Sequence, residues 1–195
     1  RGYDYREDLY VPGFFEVDIK AGESVIFTAA LSEITPSAIT RKFNTELSKR
    51  TPRNNYEDCL RSAAQQFICK RNGKTESVAG YPWFGRWGRD TFISLPGLTL
   101  HAGNAKACRE VLDTMTSEMK NGLFPNIGAG DDAALNSVDA PLWFFWALQE
   151  YSNTLPDKSQ IWQQYGKKMK AVLNAYRKGT SFNIKMNDEG LVFQG

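Results

Sequence analysis

The sequence predicts a mainly α-helical fold in which two layers of helices surround a common axis. Two observations carry this prediction. Segments that are apolar on nearly every side alternate with segments that carry one apolar stripe, and these are the patterns of helices buried all round and of helices with one solvated face. Long loops precede the first kind, whereas the joints that precede the second kind, near 101–104 and 152–158, are short. A helical solenoid is the weaker interpretation, because no shared motif recurs at about 34 to 42 residues.

The opening residues, 1–34, are predicted to be the tail of a β-rich domain. Two short runs rich in β-branched and aromatic residues, 14–19 and 24–29, flank a turn that contains glycine, which predicts a β-hairpin. Because an isolated hairpin is only marginally stable in water, we expect it to lean on another part of the protein.

A linker helix is predicted over 35–52, since a threonine followed by proline is a typical helix start. The remaining residues, 53–195, are predicted to form one truncated helical domain. Its five helices are expected at about 55–69, 89–101, 104–120, 139–152 and 158–177. The second and fourth are apolar nearly all round and are therefore assigned to the inner layer.

The composition excludes several classes of function. Lys and Arg number 24 and Asp and Glu number 22, and a net charge of +2 is too balanced for a nucleic-acid partner. No apolar run approaches the ~18 residues of a membrane span. Cys59, Cys69 and Cys108 are odd in number and lack CxxC spacing, so we expect reduced, buried thiols, which favours a cytoplasmic location. The chain begins at Arg1 and ends without a helix cap, and we expect it to be a piece of a longer protein.

The first long loop, 71–87, and the helix start that follows it carry the side chains best suited to sugar binding. Aromatic residues, two arginines and an aspartate crowd into residues 80–91. Sugars need flat apolar platforms and paired polar groups for neighbouring hydroxyls, so Trp83 or Trp87 is the candidate platform. Arg89 and Asp90 are the candidate clamp. The alternative is that Asp90 is only a helix cap with an adjacent ion pair.

The second long loop, 121–138, is expected to meet the first, because both run into the N-terminal ends of inner helices. Asp139 precedes Ala140-Pro141, and proline is tolerated in a helix's first turn, so Asp139 is predicted to be an N-cap, a sugar ligand, or both. Asp131-Asp132 resembles half of a calcium loop without the remaining ligand spacing, so we expect no metal and no cofactor. His101, the single histidine, is interpreted as structural.

Two stretches resemble the amylo-α-1,6-glucosidase domain of glycogen debranching enzymes. The first extends from Tyr81 to Gly97 and contains Trp-Gly-Arg-Asp-Thr-Phe-Ile-Ser-Leu-Pro-Gly. The second comprises Gly122–Asn126 and Asn136–Phe144, in the family's order. This family is similar to the (α/α)6-barrel glycosidases. The resemblance therefore implies a partial (α/α)6 toroid, in which the chain holds about five of twelve barrel helices.

The resemblance also implies an inverting hydrolase that removes the single α-1,6-linked glucose left at a trimmed glycogen branch point. Inversion uses a carboxylic acid and a carboxylate, roughly 6.5–9.5 Å apart. The later family motifs that carry them do not occur in these 195 residues, so we expect them beyond Gly195 and expect the isolated chain to be inactive. The predicted substrate-binding residues are Trp83, Trp87, Arg89, Asp90, Asn136 and Asp139.

Other functions remain open. Leu135 stands where many relatives carry tyrosine, and Gly85-Arg86 replaces other pairs before Trp87, so the preference for α-1,6 over α-1,4 linkages is unsettled. The alternatives are an exo-acting glucoamylase-type α-glucosidase and a non-catalytic glucan-binding helical module. The partner in each case is an α-glucan, and exposed inner helices predict self-association of the isolated chain.

Overall fold

The computed structural model describes residue 6 and residues 8–81, 84–128 and 133–194. It divides after Arg50 into two compact units, each of which is described by itself. Within these described ranges, no helix is both long enough and apolar enough to cross a membrane.

The first unit contains the helix α1, Pro36–Lys49, which begins where the Thr-Pro pair predicted it. The hairpin predicted over 14–29 is wrong in its strands, because residues 8–34 form none. Its turn is present, and the Glu23 N–H donates to the Lys20 carbonyl over 3.0 Å. The physical reason is exposure: apart from the half-buried Ile26, the large apolar side chains in 9–31 stay exposed, and two strands with no covered face are only marginally stable.

The second unit is mainly helical, with five α-helices and two small antiparallel sheets in its described part. Its elements in chain order are α2 (Tyr56–Gln66), β1 (Ile68–Arg71), β2 (Lys74–Ser77), α3 (Gly88–Leu95), α4 (Ala105–Ser117), α5 (Ala140–Ser152), α6 (Ser159–Lys178), β3 (Lys185–Met186) and β4 (Val192–Phe193). The five helices expected from the sequence are confirmed, and their ends differ by up to three residues except at α3, which ends at Leu95.

A π-helical turn, Pro96–Leu100, continues α3. Proline has no N–H to donate and its ring crowds the preceding turn, so the α-helical ladder cannot pass through Pro96 unchanged. The His101 N–H instead donates to the Pro96 carbonyl, five residues back, over 3.1 Å. The helix predicted as one piece over 89–101 is therefore an α-helix followed by a wider turn.

The strands β1 and β2 form a hairpin that the sequence analysis assigned to a loop. Ile68 pairs with Ser77 and Arg71 with Lys74. The two turn residues, Asn72 and Gly73, have φ angles of 51° and 75°, as the tightest hairpin turns require at both positions. The hairpin packs on α4, and this contact fixes the position of the start of the first long loop.

Three aromatic rings form the centre of the core. Phe92 on α3, Phe124 in the second long loop and Phe144 on α5 are fully buried. Their ring centroids lie 4.8, 5.5 and 4.9 Å apart, in tilted and edge-on arrangements that aromatic pairs favour. Because one ring comes from each of three segments, the same contacts that build the core also hold the second loop against α3 and α5.

The two apolar helices, α3 and α5, pack directly on each other, and α4 and α6 both contact α5. This neighbour pattern agrees with an inner pair and an outer pair, whereas the closed toroid stays a prediction. As the sequence predicts for the truncated domain, part of the surface of these apolar helices stays exposed. Ile93, Leu142 and Trp146 remain 40%, 45% and 36% exposed.

This exposed apolar face of α3 and α5, defined by Ile93, Leu142 and Trp146, predicts self-association of the isolated chain. An exposed apolar patch favours burial against a second copy. Light scattering should show a mass that rises with concentration. The Leu142→Glu variant should shift it towards the monomer, while Leu173→Glu, on an exposed position of α6, should not. A monomer at all concentrations contradicts the prediction.

Candidate active-site mouth

The two long loops meet at the start of α3. The Gly88 N–H donates to the Asn126 carbonyl over 2.9 Å, and Trp87 forms an isolated antiparallel bridge with Ile127. Only glycine permits this approach, since a Cβ at position 88 would lie 2.3 Å from the Pro125 carbonyl oxygen. The expectation that the two long loops meet is confirmed, and the surface where they meet is called the mouth below.

An ion pair joins the starts of α3 and α5 at this mouth. The Nε of Arg89 lies 2.9 Å from Oδ1 and 2.8 Å from Oδ2 of Asp139, although the two residues are 50 positions apart in the chain. Their side chains are 50% and 33% exposed. A pair this exposed adds only about 0–1 kcal/mol to stability, so its chief consequence is the charged geometry that it presents to solvent.

Ser137 orients the Asp139 carboxylate by a hydrogen bond. The Ser137 hydroxyl donates to Oδ1 of Asp139 over 2.8 Å and accepts from the Ala140 N–H over 3.3 Å. Asp139 occupies the N-cap position of α5, as predicted, but its carboxylate forms no capping hydrogen bond, and the Ser137 hydroxyl accepts the Ala140 N–H instead. Burial pulls the pKa of Asp139 upwards, but the hydrogen bonds from Ser137 and Arg89 outweigh it and leave the pKa below its usual value. Asp139 is thus a hydrogen-bond acceptor at neutral pH and not a proton donor.

Asp90 lies exposed in the first turn of α3. Its carboxylate forms no hydrogen bond or ion pair with any residue in the described part of the chain. The alternative of a cap with an adjacent ion pair is therefore wrong. Successive helical residues point about 100° apart, which is why Arg89 reaches Asp139 while Asp90 stays open to a ligand.

Asn136 lies on the second loop beside the first-loop junction. Its Oδ1 accepts a hydrogen bond from the Asn126 side chain over 3.3 Å, and both side chains are on the surface of the mouth. The pair orients two amides, and one of them belongs to the residue whose carbonyl binds the Gly88 N–H. Asn136 is therefore tied to the same junction as Arg89.

Of the two tryptophans predicted as the aromatic platform, the structure describes Trp87. Trp87 is half-buried and its ring meets Phe84 edge-on, with centroids 6.3 Å apart. Trp83 lies outside the described residues. Tyr81 and Phe84 are 59% and 55% exposed, so aromatic surface continues along the loop.

Arg86 has a role that its position in the first long loop does not predict. Its guanidinium is buried and contacts Glu76 on β2, Glu118 at the end of α4 and the carbonyl of Gly128 in the second loop. Lys74 completes the group with a 2.7 Å bond to Glu118. The Asn-Gly turn at 72–73 was the available signal, because a hairpin there places Glu76 opposite the loop that holds Arg86.

Among the residues that the structure describes, no group of three or more His, Cys, Asp or Glu side chains is arranged to hold a metal ion. The half calcium loop at Asp131-Asp132 lies outside them. The three cysteines are free, but only Cys108 is buried, which corrects the expectation of buried thiols. Burial raises the pKa of Cys108 to about 11, against a smaller opposing hydrogen bond with Thr99.

Comparison with known proteins relates this chain to glycoside hydrolases. The sequence model of the family described as amylo-alpha-1,6-glucosidase matches residues 62–195. A stretch of 93 residues is 36% identical to the glycogen debranching enzyme of Saccharomyces cerevisiae. That stretch is 45% of this chain and 6% of the yeast protein, so the chain spans a small part of its relative's length. Because the family match covers well over half of the chain, the chain belongs to the amylo-alpha-1,6-glucosidase family.

Proposed function

We propose that the chain supplies the glucose-binding end of an active site that hydrolyses α-1,6-linked glucose at branch points of an α-glucan such as glycogen or limit dextrin. The observation that carries the proposal is the exposed Arg89–Asp139 pair, with an unpaired Asp90 beside it. A guanidinium and two carboxylates offer donors and acceptors that fit neighbouring sugar hydroxyls. We place the protein in the cytoplasm, in keeping with its cysteine pattern.

The chemistry proposed is inversion in one step. A carboxylic acid protonates the leaving oxygen while a carboxylate activates water on the opposite face. Asp139 does not suit the acid role, because its pKa is held low. We therefore assign the acid and the base to carboxyl groups beyond Gly195, and assign Arg89, Asp90, Asn136 and Asp139 to holding the terminal glucose. The isolated chain is accordingly expected to release no glucose.

Substitution of Arg89 in the protein translated from the whole gene tests this function. Arg89→Ala should raise KM for glucose release from limit dextrin by about tenfold, since one charge-assisted hydrogen bond contributes roughly 1.5–3 kcal/mol. Arg109→Ala is the matched control, because Arg109 forms a similarly exposed pair with Asp113 on α4. Unchanged KM in the Arg89 variant contradicts the proposed mouth.

The substrate range separates the alternatives in the same preparation. If the α-1,6 bond of panose is hydrolysed faster than the α-1,4 bonds of maltotriose, the debranching activity is supported. The reverse order supports a glucoamylase-type exo-glucosidase. Glucan binding without any hydrolysis by the full-length protein would leave only the non-catalytic binding module.

The Trp87→Ala substitution should weaken binding of α-glucan ends about tenfold, because a lost stacking platform exposes the apolar face of the sugar. Titration of the full-length protein with panose, followed calorimetrically, measures the change. Trp162→Ala on α6 is the control, since that ring is 53% exposed outside the loops of the mouth. Equal affinity in the Trp87 variant and the wild type would move the platform to another ring.

A further inference from the structure

The buried charges around Arg86 lie where three segments of the chain meet. Arg86 belongs to the first long loop, Glu76 to β2 and Glu118 to the residue after α4. The side chains of these three residues are only 2%, 7% and 12% exposed. The Nη1 of Arg86 lies 3.1 Å from Glu76 Oε1, and its Nη2 bonds both Glu118 and, over 3.1 Å, the Gly128 carbonyl. One guanidinium therefore touches the base of the hairpin, the end of a helix and the second loop.

Stability alone does not account for this arrangement. Burying charges is costly, and a buried ion pair is often no more stabilising than apolar residues of the same volume. The cost is visible at Arg86, whose buried Nε finds no acceptor in the described part of the chain. What a buried guanidinium adds is direction, because its N–H groups donate hydrogen bonds only in the plane of the group and at fixed angles.

Arg86 directly precedes the residues of the first loop that form the mouth, so its fixed orientation affects theirs. Trp87 and Gly88 follow it immediately and make the bridge to Ile127 and the 2.9 Å bond to Asn126. Arg89 comes next and reaches Asp139. A shift of the Arg86 backbone is thus passed on within three residues to the groups assigned above to the glucose.

We propose that Arg86 is a positioning residue, whose buried guanidinium ties the β1–β2 hairpin, the end of α4 and the second loop together and so fixes Trp87 and Arg89 for α-glucan binding. The proposal rests on the function proposed above for the mouth. Arg86 touches no substrate in it and acts through the segment 87–89.

The conservative variant Arg86→Lys tests the proposal, because an ammonium keeps the charge but cannot reach Glu76, Glu118 and the Gly128 carbonyl in one plane. Hydrogen exchange on the chain itself should show the Gly88 amide opening at least tenfold faster, with amides of α6 within twofold of wild type. Arg109→Lys is the matched control and should change neither. Faster exchange throughout the unit, α6 included, overturns a positioning role and marks Arg86 as a general stabiliser.

Kinetics of the full-length protein give the second readout. Arg86→Lys should raise KM for limit dextrin about fivefold and leave kcat within twofold, and Glu118→Gln, which removes the negative charge of one partner of the guanidinium, should shift KM in the same direction. If Arg89→Ala raises KM but both of these variants keep the wild-type value, the positioning role is overturned and the proposed function stands. If Gly88 exchange accelerates while Arg89→Ala also keeps its KM, the proposed function fails and with it the link from Arg86 to glucan binding.

Discussion

Replacing Asp90 with asparagine in the full-length protein is expected to lower kcat/KM for glucose release by at least two orders of magnitude. A carboxylate that accepts hydrogen bonds from sugar hydroxyls contributes about 3 kcal/mol once the bound sugar has excluded water, and about 1.4 kcal/mol corresponds to a factor of ten. Because Asp90 has no partner among the described residues, its replacement should leave the fold intact. The rates are measured with limit dextrin, and thermal unfolding of the variant is followed in parallel.

Asp157→Asn is the matched control for this experiment. Asp157 is also a carboxylate at a helix start, and it accepts bonds from Ser159 at the other end of α5 from the mouth. Its variant should lose some stability and keep wild-type kinetics. A folded Asp90→Asn enzyme with near-native activity would remove Asp90 from the site.

The Gly88→Ala substitution is expected to destabilise the second unit by about 3 kcal/mol. The added Cβ would lie 2.3 Å from the Pro125 carbonyl oxygen, and both sides of this contact are backbone, so no side chain can turn aside to make room. The two long loops must separate, which also breaks the bond from the Gly88 N–H to Asn126. Urea unfolding followed by circular dichroism measures the loss.

Gly97→Ala provides the comparison, because nothing lies within 4 Å of a Cβ at that position. Alanine is also the better residue for a helical backbone, so this variant should be as stable as wild type or more so. Similar losses for the two variants would mean that the cost comes from the change of residue type and not from the contact with Pro125.

The helices were accessible to sequence reasoning because their signals are local. Asn55 and Asn104 cap α2 and α4, and each accepts a backbone N–H three residues on, as the caps of helices do. The hairpin β1–β2 was also marked locally, by Asn72-Gly73, and this signal was overlooked. The two strands predicted over 14–29 are absent because a hairpin needs another part of the protein to pack on. A composition rich in β-branched and aromatic residues does not show whether such a partner exists.

The residue types of the candidate site could be predicted from the sequence, but the contacts between them could not. Arg89, Asp90, Asn136 and Asp139 are all found at the mouth, yet nothing local says that Arg89 binds Asp139 and leaves Asp90 free. That choice follows from how α3 lies against α5, which the packing of Phe92 on Phe144 determines. Arg86 looked like an ordinary loop arginine because its two carboxylate partners are 10 and 32 residues away.

The distance in sequence between Arg89 and Asp139 has a consequence for biosynthesis. At about 5–20 residues per second, a ribosome adds the 50 residues between them in about 3–10 s. Phe92 precedes Phe144 by a similar 52 positions, so it leaves the exit tunnel seconds before the ring of Phe144 that will cover it. The nascent chain therefore carries an uncovered Phe92 for seconds, and we expect this interval to be the stage at which a chaperone on the ribosome has most to gain by binding it.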